Sequence, residues 1–209
     1  MKTLLSTAII FYGFLTAVNS AFAQIWTQAT NASSAEWEAV DSSADGTKLI
    51  VGALSWIYIT STNSGNTWIS NSEPQKLSSY GSWTSIASSA DGTKYAAINS
   101  TAIWVSTNSG TTWFSNNVPG VSFFASVALS ADGTKLVVVD GKQSSPGLIY
   151  TSTNSGLTVT PTEAPANNWT SVASSADGTE LVVCATINNH GGGVIYSSTN
   201  SGLSWILTS

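Results

Sequence analysis

Apolar residues in the body of this chain fall in short runs, and each run ends in a cluster of Ser, Thr, Asn, Asp and Gly. Short apolar runs bounded by turn residues predict β-strands, and no segment competes with a helical period. One set of runs is Trp37–Val40, Trp83–Ala87, Phe124–Ala128 and Trp169–Ala173. Each leads into a Ser-Ala-Asp-Gly-Thr turn, with the Asp at 45, 91, 132 and 177. Asp-Gly between two apolar runs is a hairpin signal. The second strands are Leu49–Ala53, Tyr95–Ile98, Leu136–Val139 and Leu181–Ala185. The third are Tyr58–Ser61, Ile103–Thr107, Leu148–Thr153 and Val194–Thr199, and the fourth begin at Trp68, Trp113, Val159 and Trp205.

A second turn separates the third and fourth strands. It reads Ser-Thr-Asn-Ser-Gly in every copy, and its Asn63, Asn108, Asn154 and Asn200 lie 45 or 46 residues apart. A constant period of this length marks an array of one supersecondary unit. Four antiparallel strands per unit, in tandem, read as the blades of a β-propeller, with a stacked solenoid as the weaker alternative. The predicted fold is therefore all-β: a β-propeller of four repeats, at approximately 36–71, 82–116, 123–162 and 168–209. Residues 24–29 look like one more strand at the N-terminus. That spare strand leaves three ring arrangements open: a closed four-blade monomer, a larger ring completed by a second chain, or a truncated chain. In the first repeat the aromatic of the third strand, Tyr58, stands one place early, which predicts a bulge near Ile59.

The turn has a mechanical role. Asn tolerates left-handed backbone and can accept from nearby amides, Gly takes positive φ freely, and the preceding Ser supplies a hydroxyl to the loop. The Trp that follows is expected to be a large buried anchor. The pattern resembles the Asp-box, Ser-x-Asp-x-Gly-x-Thr-Trp, of bacterial-neuraminidase-repeat proteins of sialidase-like fold, with Asn in the Asp place. The matching positions are Ser61, Asn63, Gly65, Thr67 and Trp68, then Ser106, Asn108, Gly110, Thr112 and Trp113. They continue as Ser152, Asn154 and Gly156, with Val159 replacing Trp, and as Ser198, Asn200, Gly202 and Trp205. The resemblance implies a folding element lying away from the binding face. Photosystem assembly-factor propellers carry similar repeats, but are associated with an Arg-rich patch.

The first 23 residues change the picture of where the protein works. Lys2, the apolar run Leu4–Val18 and Ala21-Phe22-Ala23 read as a signal peptide cleaved before Gln24, so residues 24–209 form the mature domain. The expected location is secreted, periplasmic or extracellular, without membrane insertion after cleavage. Net charge is −5 and all six basic residues are Lys. The lack of a basic, Arg-bearing face argues against nucleic acid or an anionic membrane as partner. Cys184 is the only cysteine, read as a small buried hydrophobe, so no intrachain disulfide forms. Sequons occur at Asn31, Asn99 and Asn168.

Function is expected on the loops that differ between repeats. Antiparallel strands place both kinds of repeated turn at one end of each blade and the variable loops at the other. The long loop from Ile69 to Ser82 offers Glu73, Lys76 and Tyr80; Trp56, Phe123 and His190 are further ligand-binding candidates. Solvated decoration or core packing is the competing reading for each. Sialidases grip a substrate carboxylate with three Arg, and no Arg exists here to do so. A single His argues against a protein metal site or a Ser-His-acid triad, and leaves His190 open as a lone ligand. A two-carboxylate glycosidase remains a third reading, with Glu73, Asp140 and Glu163 as test positions. The reading is a non-catalytic module without cofactor that binds a glycan or extracellular protein; a structural surface protein is the alternative.

Overall fold

In a computed structural model of the chain, the described residues are 28–29, 32, 35–54, 58–71, 82–121, 123–141, 146–186 and 192–208. The predicted signal peptide and most of the proposed strand at 24–29 lie outside them; Gln28 and Ala29 belong to no strand. Every element among the described residues is a strand, and the strands form four antiparallel sheets of four. The first blade holds β1 (Trp37–Ser42), β2 (Leu49–Ala53), β3 (Tyr58–Ser61) and β4 (Ile69–Asn71). The second holds β5 (Ser85–Ser88), β6 (Tyr95–Ile98), β7 (Ala102–Ser106) and β8 (Phe114–Asn117). The third holds β9 (Phe124–Leu129), β10 (Leu136–Asp140), β11 (Ile149–Ser152) and β12 (Thr160–Pro161). The fourth holds β13 (Asn168–Ser174), β14 (Leu181–Thr186), β15 (Gly193–Ser198) and β16 (Ile206–Leu207).

The blades stand face to face in chain order, with β1, β5, β9 and β13 side by side. Among the described residues no strand of the first blade packs extensively on a strand of the fourth, so their four blades form an arc with two open faces. Between blades lie three apolar layers. The first contains Ile50 and Tyr58 against Trp83, Ile86 and Trp104. The second sets Ala96 and Ile98 against Phe124, Val127 and Val138; the third sets Val137 and Val139 against Trp169, Val172 and Val183. Strands covered on both faces are buried throughout, as in β6, β7 and β10.

The register departs from expectation at Tyr58. The pairing of β2 with β3 runs unbroken from Leu49↔Ser61 to Gly52↔Tyr58, in the register of Tyr95↔Ser106 to Ile98↔Ile103 in the next blade. No bulge forms near Ile59. With period-two alternation, an aromatic placed one residue early simply points to the other face. There its hydroxyl donates to the Gly110 carbonyl at 2.8 Å and accepts from Trp113 Nε1 at 3.0 Å. The irregularities lie instead in the pairing of the first two strands of a blade, between Trp37 and Ala39, between Val139 and Asp140, and between Trp169 and Ser171.

The repeated Asn turn is built as expected in its hydrogen bonds but not in its backbone. Asn63 Oδ1 accepts from Thr67 N at 2.8 Å, its Nδ2 donates to Thr67 Oγ1 at 2.9 Å, and Ser61 Oγ accepts from Gly65 N at 2.9 Å. The left-handed residues are the Ser and Gly, not the Asn: Ser64, Ser109, Ser155 and Ser201 have φ of 56–59°. Two successive positive φ values, closed by Asn66 N on Asn63 O at 3.2 Å, give the I′ turn that suits a twisted hairpin. The Ser amide then reaches the neighbouring Asp-Gly turn, as from Ser109 N to Thr93 O at 2.7 Å. Left-handed Ser is strained, so Ser109→Gly is expected to raise stability by up to about 1 kcal/mol, read from the denaturation midpoint. A lower midpoint would mean that the Ser109 side chain contributes more than its backbone costs.

The Trp after this turn is half-buried rather than a deep anchor at Trp68, Trp113 and Trp205. Three of the fully buried large rings come from the first strand or the residues just before it, Trp83, Phe124 and Trp169, each at 0–1% exposure, and Tyr58 of β3 joins them. Trp113 completes an aromatic cluster, lying 5.5 Å from Tyr58, 6.2 Å from Trp83 and 6.3 Å from Tyr95.

Candidate functional site

The two ends of the arc use their polar side chains differently. At the turn end, Asp45 Oδ1 accepts from Ser43 Oγ at 2.6 Å, from Thr47 N at 3.0 Å and from Thr47 Oγ1 at 2.9 Å. The same three donors surround Asp91, Asp132 and Asp177, with the Ser hydroxyl at 2.6 Å each time. These donors, the Ser hydroxyl foremost, hold all four carboxyls at a pKa of about 2. Four of the chain's acids are thus committed to the fold. The Asn turns beside them are committed equally, since the amide oxygen and nitrogen are both bonded within each loop.

At the loop end the described residues of the first three blades are bonded in different ways. Glu38 Oε2 accepts from Ser82 Oγ at 2.7 Å, joining the first strand of blade one to the approach of blade two. In blade two the connection after β6 is closed by Asn99, whose Oδ1 accepts from Thr101 N at 2.9 Å and Ala102 N at 2.7 Å. In blade three Gly147 pairs with Asn167 across the loop, and Trp169 Nε1 donates to the Gly147 carbonyl at 3.0 Å. Asp140 is buried at the end of β10, opposite Phe124. Burial, and then the nearby Asp140 charge, push the Tyr150 hydroxyl above its usual range. Phe123 keeps 41% of its surface exposed, and Glu163 is exposed on the next loop. No three His, Cys, Asp or Glu side chains converge as metal ligands among the described residues.

The ligand-binding candidates Glu73, Lys76, Tyr80, Trp56 and His190 lie outside the described residues, so the structure neither gathers nor separates them. Phe123 is the one aromatic candidate that can be placed, and it sits exposed at the loop end. Glu38 and Ser82 were not singled out by sequence; one is spaced as an ordinary strand residue and the other as a loop end. Two sequons lose their meaning in this fold. Asn99 is 3% and Asn168 6% exposed, so neither can carry a glycan while folded, and Asn31 lies outside the described residues. Cys184 is half-buried on the outward side of β14, less enclosed than its composition suggested.

No known protein family and no curated protein matches the sequence. Solved structures do match it in shape. The GH74 enzyme of Niastella koreensis superposes with a TM-score of 0.59 at 21% identity, over 81% of this chain and 24% of its own. A structure of YCF48 bound to D1 peptide gives 0.60 at 12% identity, over 83% of this chain and 53% of its own. Hydrazine synthase of Kuenenia stuttgartiensis gives 0.65 at 13% identity, over 88% of this chain and 53% of its own. The chain spans about a quarter to about a half of the length of these structures. At such identities the likeness is one of fold, and the fold is a β-propeller.

Proposed function

We propose that the chain is an exported, non-catalytic propeller of the Asp-box kind that binds an extracellular ligand, a glycan or a protein, at its loop end. The observation that carries this reading is the division between the two ends. Polar side chains at the turn end are bonded to their own loops in four nearly identical copies, whereas the loop end varies from blade to blade and presents Phe123 to solvent. An exposed aromatic suits either a sugar face or a protein side chain. Among propellers of similar shape, one is described with a bound peptide and another as a GH74 enzyme, which supports ligand handling without choosing its class.

Chemistry on an acidic sugar is disfavoured because no Arg is present to hold the carboxylate. The test is binding of the purified mature protein to a glycan panel and to extracellular protein extracts, with Phe123→Ala expected to weaken binding about 5- to 20-fold. Binding that ignores Phe123 places the ligand elsewhere. Turnover of a neutral glycoside or sialoside that disappears on changing Glu73, Asp140 or Glu163 replaces the module with a hydrolase. Export has its own check: N-terminal sequencing of secreted protein should begin at Gln24, and retention of residues 1–23 in a membrane-bound product contradicts it.

A further inference from the structure

The three interfaces between blades repeat one set of contacts, and the two open faces of the arc carry the two halves of that set. Across each interface a backbone amide bonds the carbonyl of the next blade: Ala44 N to Ala90 O, Ala90 N to Ala131 O and Ala131 N to Ala176 O, at 2.7–2.8 Å. At the two ends of this line, the Ala44 carbonyl and the Ala176 amide have no such partner among the described residues. A lysine stem also lies over the glycine of the next Asp-Gly turn. A Cβ on Gly92 would meet Lys48 at 2.7 Å, one on Gly133 would meet Lys94 at 2.8 Å, and one on Gly178 would meet Lys135 at 2.8 Å. A Cβ on Gly46, in the first blade, would meet nothing within 4 Å among the described residues.

The apolar layer has the same two unfilled ends. Ile86, Val127 and Val172, each three residues before the Ser of its turn, are 5–8% exposed against the preceding blade, but Val40 in that position is 68% exposed. On the other side Ile50, Ala96 and Val137 are 0–2% exposed against the following blade, but Val182 is 43% exposed. Val40 borders a groove of about 460 Å³ lined also by Trp37, Val51, Ile59 and Trp68, with Gln28, Ala29 and Ala32 contributing. Trp113 Nε1 bonds Tyr58 of the preceding blade, while Trp68 Nε1 is buried without a hydrogen-bond partner.

From this complementarity we infer that blade four of one chain docks on blade one of a second copy, and that two chains close head-to-tail into a ring of eight blades. Val182 and Ile195 then enter the groove beside Val40, and the Ala176 amide meets the Ala44 carbonyl, which extends the existing interface by its own rules. A heterologous contact closes when the rotation per subunit completes a circle. Here the four blades match about half of the YCF48 and hydrazine synthase chains, each covered over 53% of its length. One position works against docking: Glu180 stands where Lys48, Lys94 and Lys135 stand in the other blades, and brings a carboxylate towards the Asp45 turn. Glu180 therefore sets the strength of the interface, keeping it reversible.

The test is sedimentation of the purified mature protein over a concentration series. A monomer–dimer equilibrium is expected. Glu180→Lys should tighten it about fivefold or more, since one exposed like-charge contact is relieved at each of two junctions. Val40→Asp and Val182→Asp, both at exposed positions that leave the fold intact, should each reduce the dimer at least about tenfold. Labelling of Cys184, on the docking side of β14, should slow as the dimer forms. A protein that stays monomeric even as Glu180→Lys overturns the inference, as does a dimer indifferent to both aspartates. Success or failure here is independent of the loop-end ligand, which Phe123→Ala tests.

Discussion

Replacing Trp83 by Ala is expected to lower the stability of the protein by about 3–5 kcal/mol, the usual cost of emptying a fully buried Trp site. The indole is 1% exposed and lies between two blades. Its ring meets Trp104 edge-on at 6.4 Å and Trp113 at 6.2 Å, so its loss strips contacts from both neighbours. The site cannot collapse easily, because the opposing wall is backbone: a Cβ on Gly52 would stand 2.9 Å from Trp83 Cβ. Trp113→Ala removes a half-buried ring and should cost about half as much, in proportion to the area returned to water. Domains of ordinary stability hold about 5–15 kcal/mol in reserve, so the Trp83 variant stands near the unfolding threshold. Denaturant titration reads the difference as a shift in midpoint at constant slope. A Trp83 variant less affected than the Trp113 variant would show that the blades are held from the turn end instead.

That ordering of the two tryptophans is the reverse of what the repeat suggests. The octet ending in Trp113 is the loudest signal in the chain, and its period gave away the blade architecture because each unit repeats turns and strands at one spacing. Repetition reports local constraints, however, and a turn residue is conserved between copies whether or not its side chain is deeply buried. Burial depends on the neighbouring blade. Trp83 is enclosed because blade one precedes it, whereas Trp37 at the same place in blade one is only partly covered. Tyr58 shows the same limit: its displacement by one residue is visible in the sequence, but its purpose depends on Gly110 and Trp113, more than fifty positions away. Left-handed Ser was hidden for a different reason. Asn is the residue that usually tolerates that region, yet here its side chain is needed to accept from Thr67, which puts the strain on Ser64. The loop-end candidates rest on chemistry and variability alone, and among them only Phe123 lies within the described residues.

Acid should unfold the protein through the four Asp-Gly turns. Each of Asp45, Asp91, Asp132 and Asp177 is lowered from 3.8 to about 2 in the folded chain, chiefly by the Ser hydroxyl and the Thr amide and hydroxyl that donate to it. A depressed folded pKa contributes stability that is fully present above the unfolded value and is lost as pH falls through the folded one. Stability from this source is therefore constant above about pH 5, and declines between about pH 4 and pH 2 as unfolding takes up protons at the four sites. The Asn turns add nothing to this slope, since an amide does not titrate; their hydrogen bonds survive acid unchanged. Asp132→Asn keeps an acceptor for Ser130 Oγ and Thr134 N, which now donate at 2.6 and 2.9 Å, but removes one titrating group. It should leave the fold intact at neutral pH and shrink the proton uptake from four sites to three. Conversely, Asn108→Asp should be tolerated near neutrality, with Thr112 Oγ1 turning from acceptor to donor, and should add a fifth acid-sensitive site. Denaturation midpoints measured across this pH range for the three proteins decide the matter. Equal slopes in all three would mean that acid acts through other carboxylates, and that the turns are bystanders.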